Sequence, residues 1–139
     1  MKILLPVDGS DHTKHMLAWL AAHDEWLGNK HEYTVLTVVP PIPPHAMEFL
    51  DPEFLRNYDK DQAEAVFKPI QAFIAQHQLK ATYIHRLGNA GDEIATEAGN
   101  GHDLVIMGSH GRGAFAGLVM GSTATRVLAA CRTPVLLIR

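Results

Sequence analysis

Glycine residues gather in one segment of the chain, from Gly108 to Ser122. Because glycine has no side chain to keep a bulky anion away from main-chain N–H donors, such a loop can approach a phosphate chain closely. The segment ends at Gly121-Ser122-Thr123, where helical periodicity begins. The unpaired N–H groups and positive dipole end of that helix would favour an anion at the same place. The pattern therefore predicts a phosphate-binding site.

Two better-known glycine motifs do not explain this segment. Residues 111–116 match a dinucleotide-binding fingerprint, but too few residues follow Ala116 to supply the usual next strand and its ribose-binding acid. A P-loop requires a lysine directly before its Ser or Thr, whereas Gly121 precedes Ser122. Since phosphoryl transfer depends on positioned positive charge, the missing lysine favours nucleotide binding over fast hydrolysis.

Strand-like and helix-like segments alternate along the whole chain. A helix is predicted between Ser10 and Gly28, the clearest one over Ala63–His77, a short one around Ile94, and the last from Ser122 through Cys131. Strands are predicted at Ile3–Val7, Tyr33–Val39, Ala81–Leu87, Leu104–Met107 and Val135–Ile138. The alternation predicts a single domain over 1–139: a doubly wound α/β fold with a five-stranded parallel sheet, order 3-2-1-4-5, and helices on both faces.

Prolines and the cysteine lead to three local expectations. The stretch from Pro40 to about Arg56 reads as one long irregular connection, either a lid or a linker. Pro69 should kink or break its helix near residues 66–67 because it removes one backbone hydrogen bond. Cys131, the only cysteine, is expected to be a buried structural thiol, which suits a reducing compartment.

In a doubly wound sheet, ligands bind beyond the carboxyl ends of the strands, where the winding reverses. For this strand order, strands 1 and 4 flank that point, and they are followed by Pro6-Val7-Asp8 and by the glycine-rich segment. The fold and the glycine pattern therefore predict the same crevice.

The overall composition argues against several classes of binding partner. Lys and Arg total 12 against 15 acidic residues, with a net charge of −3 and no basic cluster, so nucleic acid is not an expected partner. No apolar run reaches membrane-spanning length, and the first residues do not resemble a secretory signal. A cytoplasmic location and no membrane contact are expected.

The combination Gly108-Ser109-His110-Gly111, nine residues, then Gly121-Ser122 resembles the G-x2-G-x9-G-[ST] signature of ATP-binding universal stress proteins. The resemblance extends to residues 6–10 and 103–108 and to the closing strand, so it covers essentially the whole chain. It implies binding of ATP with Mg²⁺, and a homodimer formed through strand 5, at Val135, Leu136, Leu137 and Ile138.

The same resemblance implies a set of ligand-binding residues. Asp8, the main chain of Val7 and the main chain of Val38 would contact the nucleoside, and Met107 would flank it. The complete implied set is Pro6, Val7, Asp8, Val38, Met107, Gly108, His110, Gly111, Arg112, Gly113, Gly121, Ser122, Thr123 and Ala124. Ala124 departs from the family pattern, since many ATP-binding members have a hydroxyl residue there.

Structural alternatives accompany the main candidates. Asp8 could serve only a turn or the start of the first helix, and Ser122 or Thr123 could merely cap the last helix. His110 and Arg112 could face solvent, and Met107 could be a core residue. Although the chain has nine histidines, only His12 and His15 share a helical face, which is too few for a metal site.

Three functions are compatible with these residues. The leading prediction is an ATP-binding regulatory module that signals through its dimer or lid surface, toward a protein target that the residues do not identify. A slow ATP hydrolase or phosphotransfer enzyme is the alternative, with Asp8 or His110 orienting water or metal. The third is a protein-interaction domain in which the glycines only shape the loop.

Overall fold

A computed structural model describes residues 1–111, 117 and 119–139, and its centre is a five-stranded sheet in the order β3-β2-β1-β4-β5. All neighbouring strands pair in parallel. The predicted fold class and strand order are therefore confirmed. The strands are β1 (Lys2–Pro6), β2 (Glu32–Val39), β3 (Lys80–Leu87), β4 (Leu104–Gly108) and β5 (Val135–Ile138).

Helices cover both faces of the sheet, as predicted. In the described part of the chain they are α1 (Asp11–Ala22), α2 (Asp24–Leu27), α3 (Pro44–Met47), α4 (Pro52–Gln76), α5 (Ala90–Ala98) and α6 (Ser122–Ala130). The apolar side chains of α1, α2 and α4 pack on one face, and those of α5 and α6 on the other. β1 shows why its sequence is continuously apolar: Ile3 and Leu5 belong to the first cluster and Leu4 to the second, all fully buried.

Of the kink or break predicted at Pro69, the break is wrong, because α4 continues through it as one helix of 25 residues. The kink stays a prediction. Pro69 and Ala65, four residues earlier, are both exposed, so water can hydrate the carbonyl group that loses its hydrogen bond. On the opposite side, Phe67 and Ile70 are buried in the core. Packing on that side holds the helix together across the proline.

The irregular stretch predicted from Pro40 to about Arg56 is shorter than expected, since it contains α3 and the first turns of α4. The start of α4 has a clear local cause. Asp51 lies at the N-cap, its side chain accepts a hydrogen bond from the main-chain N–H of Glu53 at 2.7 Å, and Pro52 follows at the first helical position. The first buried residue of α4 is Ala63, so no apolar stripe marks its first turns in the sequence.

Two smaller expectations also need correction. The single helix expected between Ser10 and Gly28 is interrupted at His23, whose ring nitrogen Nδ1 lies 2.8 Å from the carbonyl oxygen of Trp19. Cys131 comes just after α6 and is only partly buried, with its thiol donating to the carbonyl oxygen of Thr133 at 3.6 Å.

Over the described residues, none of the helices has both the length and the apolar character that crossing a membrane requires.

The burial of Tyr33 leads to a prediction about the stability of the fold at alkaline pH. Its side chain is buried, its hydroxyl donates to the carbonyl oxygen of Gly28 at 3.0 Å, and burial raises the pKa of Tyr33 to about 12. The folded-state pKa lies above the unfolded value of about 10, so this stabilisation is complete below pH 10 and is lost as pH rises to about 12. We expect the free energy of unfolding to fall over that range by about 2 to 3 kcal/mol more in wild type than in Tyr33→Phe.

Urea unfolding at pH 9 to 12 measures this difference, with Tyr58→Phe, at a less buried tyrosine, as the matched control. Equal losses in wild type and Tyr33→Phe would contradict it.

Candidate functional site

A cavity of about 380 Å³ opens where β1, β2 and β4 end at their carboxyl termini. Its volume lies within the range typical of small-ligand sites, roughly 300 to 1,000 Å³. The position agrees with the crevice predicted between strands 1 and 4, and β2 supplies a third side. The lining residues are Pro6, Val7, Asp8, Thr13, Leu36, Thr37, Val38, Val39, Pro40, Gln62, Val66, Ala90, Ile94, Met107, Gly108, His110, Gly111, Gly121, Ser122, Thr123 and Ala124.

Most of the residues proposed from the sequence meet at this cavity. Arg112 and Gly113 lie outside the described residues. Every other member of the set lines the cavity: Pro6, Val7, Asp8, Val38, Met107, Gly108, His110, Gly111, Gly121, Ser122, Thr123 and Ala124. Their contacts with a ligand remain predictions.

The main chain of Val38 presents one donor and one acceptor to the gap beside β1. In β2, Leu36 faces β1, since its carbonyl oxygen accepts from the N–H of Val7 at 2.8 Å, while the carbonyl oxygen of Val39 accepts from Gly88 on the β3 side at 3.0 Å. Because alternate residues face opposite neighbours, Val38 faces β1. The pairing of β1 with β2 ends at Pro6 and Leu36, so Val38 lies beyond the last pair.

The loop after β4 is folded tightly against the start of α6. Ser109 is anchored on both sides, because its N–H donates to Ile138 at 2.9 Å and its carbonyl oxygen accepts from Gly121 at 2.7 Å. A side chain at Gly121 would come within 3.2 Å of the His110 Cα. Gly121 has an ordinary φ of −75°, so close approach of the backbone, and not conformation, requires glycine there.

The first turn of α6 faces the same cavity. Gly121 occupies the N-cap, and Ser122 and Thr123 are the first residues of the helix. The alternative that their side chains serve as the helix cap is therefore wrong. Gly121 has no side chain to satisfy the first N–H groups of this helix, which is the arrangement that suits an anion.

The two carboxylate oxygens of Asp8 have different surroundings, so this residue can both hold a turn and face the cavity. Its Oδ1 accepts from the N–H of Ser10 at 2.9 Å and from the hydroxyl of Thr13 at 3.0 Å, which fixes the turn into α1. Its Oδ2 lies toward the glycine loop, where a Cβ added to Gly111 would come within 2.6 Å. The turn holds the carboxylate at the cavity wall.

Three histidine rings lie near one another beside the loop after β4. The ring of His12 is 5.3 Å from that of His110 and 6.4 Å from that of His15, and the Nδ1 of His110 lies 2.9 Å from the hydroxyl of the buried Ser109. Within the described residues, no group of three or more His, Cys, Asp or Glu side chains could hold a metal ion.

Met107 and Ala124 belong to both the cavity wall and the core. Both side chains are at least 95% buried in the cluster beneath α5 and α6. The core alternative for Met107 is therefore compatible with its place on the cavity. Ala124 likewise lies against the apolar side chains of this cluster while lining the cavity.

Sequence reasoning missed one wall of the cavity. Gln62 and Val66 come from α4, whose first turns had been interpreted as irregular, and Ala90 and Ile94 come from α5. A signal existed for α5, because a helix that follows the carboxyl end of a strand can turn its first residues toward the crevice. Gln62 and Val66 lie well inside α4, where no such signal was available.

Comparisons with known proteins agree with this fold. A model of the universal stress protein family matches residues 1–139. A universal stress protein encoded in the QAH/OAS sulfhydrylase 3′ region of Thermus aquaticus is 32% identical over 138 residues, which are 99% of this chain and 97% of that protein. This chain belongs to the universal stress protein family.

Two solved structures show the same fold at lower identity. Universal stress protein UspA from Lactobacillus plantarum has a TM-score of 0.81 and 22% identity, covering 100% of this chain and 97% of that one. A universal stress protein family member from Arabidopsis thaliana, solved with AMP bound, has a TM-score of 0.71 and 16% identity, covering 99% and 90%.

Gly111 tests whether the glycine loop forms the ligand site. In Gly111→Val the added side chain would displace the Asp8 carboxylate and occupy the cavity, while the backbone needs no unusual φ. We expect ATP affinity to fall on the order of tenfold or more, while the unliganded protein still folds, with a somewhat lower melting temperature because displacing Asp8 strains the turn into α1. Calorimetric titration and thermal unfolding measure the two effects, and Gly99→Val, away from the cavity, is the control. Unchanged ATP affinity would remove Gly111 from the site.

Proposed function

We propose that this protein is an ATP-binding regulatory module, in which nucleotide occupancy is signalled through the dimer or lid surface. One observation carries the proposal: a single cavity joins the main-chain groups of Val38 at one end to the glycine loop and the start of α6 at the other. The AMP bound to the Arabidopsis thaliana relative supports a nucleotide as the ligand class.

The β2 end of the cavity suits adenine. The main-chain N–H of Val38 can only donate a hydrogen bond, and its carbonyl oxygen can only accept one. The apolar side chains of Val39, Pro40 and Val66 lie beside them on the cavity wall. Adenine presents an acceptor nitrogen next to a donor amine, whereas guanine reverses this polarity. A base held by both Val38 groups would therefore be adenine in preference to guanine.

The α6 end of the cavity suits phosphates. Gly121 leaves the first N–H groups of α6 without a capping side chain, and Ser122 and Thr123 carry hydroxyls on the first turn of the helix. Mg²⁺ fits here as an ion carried mainly by the phosphates, because the described residues hold no cluster of protein ligands for it. Asp8 and the Ser122 or Thr123 hydroxyls are the side chains that would meet it. Mg²⁺ itself would neutralise phosphate charge.

We expect binding and not fast catalysis, because Gly121 precedes Ser122 where a P-loop would place a lysine against the phosphates. Among the lining residues that the structure describes, Asp8 is the one carboxylate. Steady-state phosphate release at saturating ATP separates the two functions. A rate of roughly 1 to 100 s⁻¹, abolished in Asp8→Ala, would favour the enzyme.

The proposed signalling surface includes the edge of the sheet at β5. No further strand pairs with β5 in the described part of the chain, and its residues Val135, Leu136 and Leu137 are only partly buried. Such an apolar edge favours pairing with a second copy. A cytoplasmic location and a protein target remain part of the proposal.

Nucleotide binding is tested by thermal unfolding and calorimetric titration with Mg²⁺. A ligand that binds only the folded state, at about 100 times its dissociation constant, stabilises by about 2.7 kcal/mol, so ATP should raise the melting temperature by several degrees. GTP should bind more weakly because its base opposes the polarity of Val38. No shift at millimolar ATP would count against nucleotide binding, and equal ATP and GTP affinities would count against recognition by Val38.

The dimer is tested by a proline at the outer side of β5. The carbonyl oxygens of Pro134 and Ile138 accept from Val105 on β4 and from Ser109 just after it, so alternation places the main-chain N–H of Leu137 on the side away from β4. Leu137→Pro should therefore weaken self-association while leaving the β4 pairing and the ATP affinity largely intact. Leu136→Pro, on the β4 side, should instead destabilise the fold.

Light scattering at tens of micromolar decides the question. A monomeric wild type, or a well-folded Leu137→Pro that remains fully dimeric, would exclude β5 as the contact.

A further inference from the structure

The wall of the cavity formed by β2 and α4 contains two polar side chains, Thr37 and Gln62. The other described residues of these two elements that line the cavity are apolar. No charged side chain lies among them, in contrast to Asp8 and His110 on the opposite side. This wall suits an uncharged ligand group that can donate and accept hydrogen bonds.

Thr37 holds its hydroxyl against this cavity without a protein partner. The residue is only 4% exposed, and within the described chain its hydroxyl makes no hydrogen bond. Among the described residues that are not exposed, only the hydroxyl of Ser10 is fully enclosed without a partner, so the Thr37 oxygen must reach open space. The cavity is the space that Thr37 lines. Because Thr37 is almost fully buried among apolar side chains, water reaches its hydroxyl poorly. A polar ligand atom in the cavity would give this hydroxyl a hydrogen-bond partner.

Gln62 reaches the cavity from a helix that is held in place. It lies one turn before Val66, which lines the cavity too, while Ala63 and Phe67 bury the adjacent face of α4 in the core. Asp59, nearly one turn earlier, lies 3.3 Å from the ring of His85 on β3. The side-chain amide of Gln62 can therefore donate or accept at the rim with little movement of its backbone.

We propose that Thr37 and Gln62 hydrogen-bond the nucleobase and are the side chains that determine affinity for the nucleoside half of the ligand. The inference rests on the proposed function, because it takes the ligand to be a nucleotide whose base lies beside Val38. Thr37 and Val38 are consecutive in β2, which places the hydroxyl next to the main-chain groups that would bind the base. Both side chains are uncharged, as is a nucleobase, whereas phosphates would be matched by cations or N–H clusters.

The experiment uses the variants Thr37→Val, which keeps the branched shape, and Gln62→Leu. Their matched controls are Thr82→Val and Gln71→Leu, exposed positions away from the cavity on β3 and α4. Calorimetric titration gives the dissociation constants of ATP and ADP with Mg²⁺ for every variant, and thermal unfolding gives the stability of each unliganded protein.

We expect each cavity variant to bind ATP about 3- to 10-fold more weakly than wild type, the effect of losing one hydrogen bond between neutral groups. ADP should weaken by the same factor, because a base contact does not depend on the number of phosphates. The unliganded Thr37→Val protein should be no less stable than wild type, since its lost hydroxyl had no protein partner. The controls should match wild type.

Three results would overturn the inference: unchanged affinity in both cavity variants, a loss confined to ATP, or a fall in the stability of unliganded Thr37→Val that accompanies the loss of affinity. In each of them wild type still binds ATP, so the proposed function stands. Wild type that binds neither ATP nor ADP would overturn the proposed function and this inference together.

Discussion

The early end of β1 is the constraint on which the rest of the site depends. β1 pairs with β2 only as far as Pro6, after which the chain turns through Asp8 into α1, while β2 continues to Val39. Because β2 outlasts its neighbour, the main chain of Val38 faces a gap where a strand would otherwise be. On the other side of β1, β4 ends at Gly108 and turns away into the glycine loop. The cavity is the space between these diverging chains.

Rigid neighbours hold each wall of this space. Asp8 is fixed through Ser10 and Thr13, so the turn that ends β1 also sets the position of its carboxylate. The loop after β4 is held by the hydrogen bonds of Ser109 to Ile138 and Gly121. Among the described residues, the walls of the cavity are therefore held mainly by turns and by hydrogen bonds that involve the main chain.

Much of the fold and part of the site could be predicted because they depend on local patterns. Continuous apolar runs bounded by turn residues located the strands, and the glycine spacing located the loop and the start of α6. The errors came from elements whose stability is not local. α4 crosses Pro69 because Phe67 and Ile70 pack on the core, and its exposed first turns resemble a loop in sequence. Propensity alone cannot weigh such packing against one lost hydrogen bond.

The amino-acid sequence by itself determined the family, the parallel α/β fold and the end of the sheet where the glycine loop would lie, since periodicity and motif spacing are properties of consecutive residues. The tertiary structure decided which distant residues share the cavity. It brought Gln62 on α4 opposite the glycine loop, left Thr37 with its hydroxyl on the cavity, and divided the two oxygens of Asp8 between a turn and the site. These relations depend on the packing of helices against a twisted sheet, which is set by contacts between residues far apart in the chain.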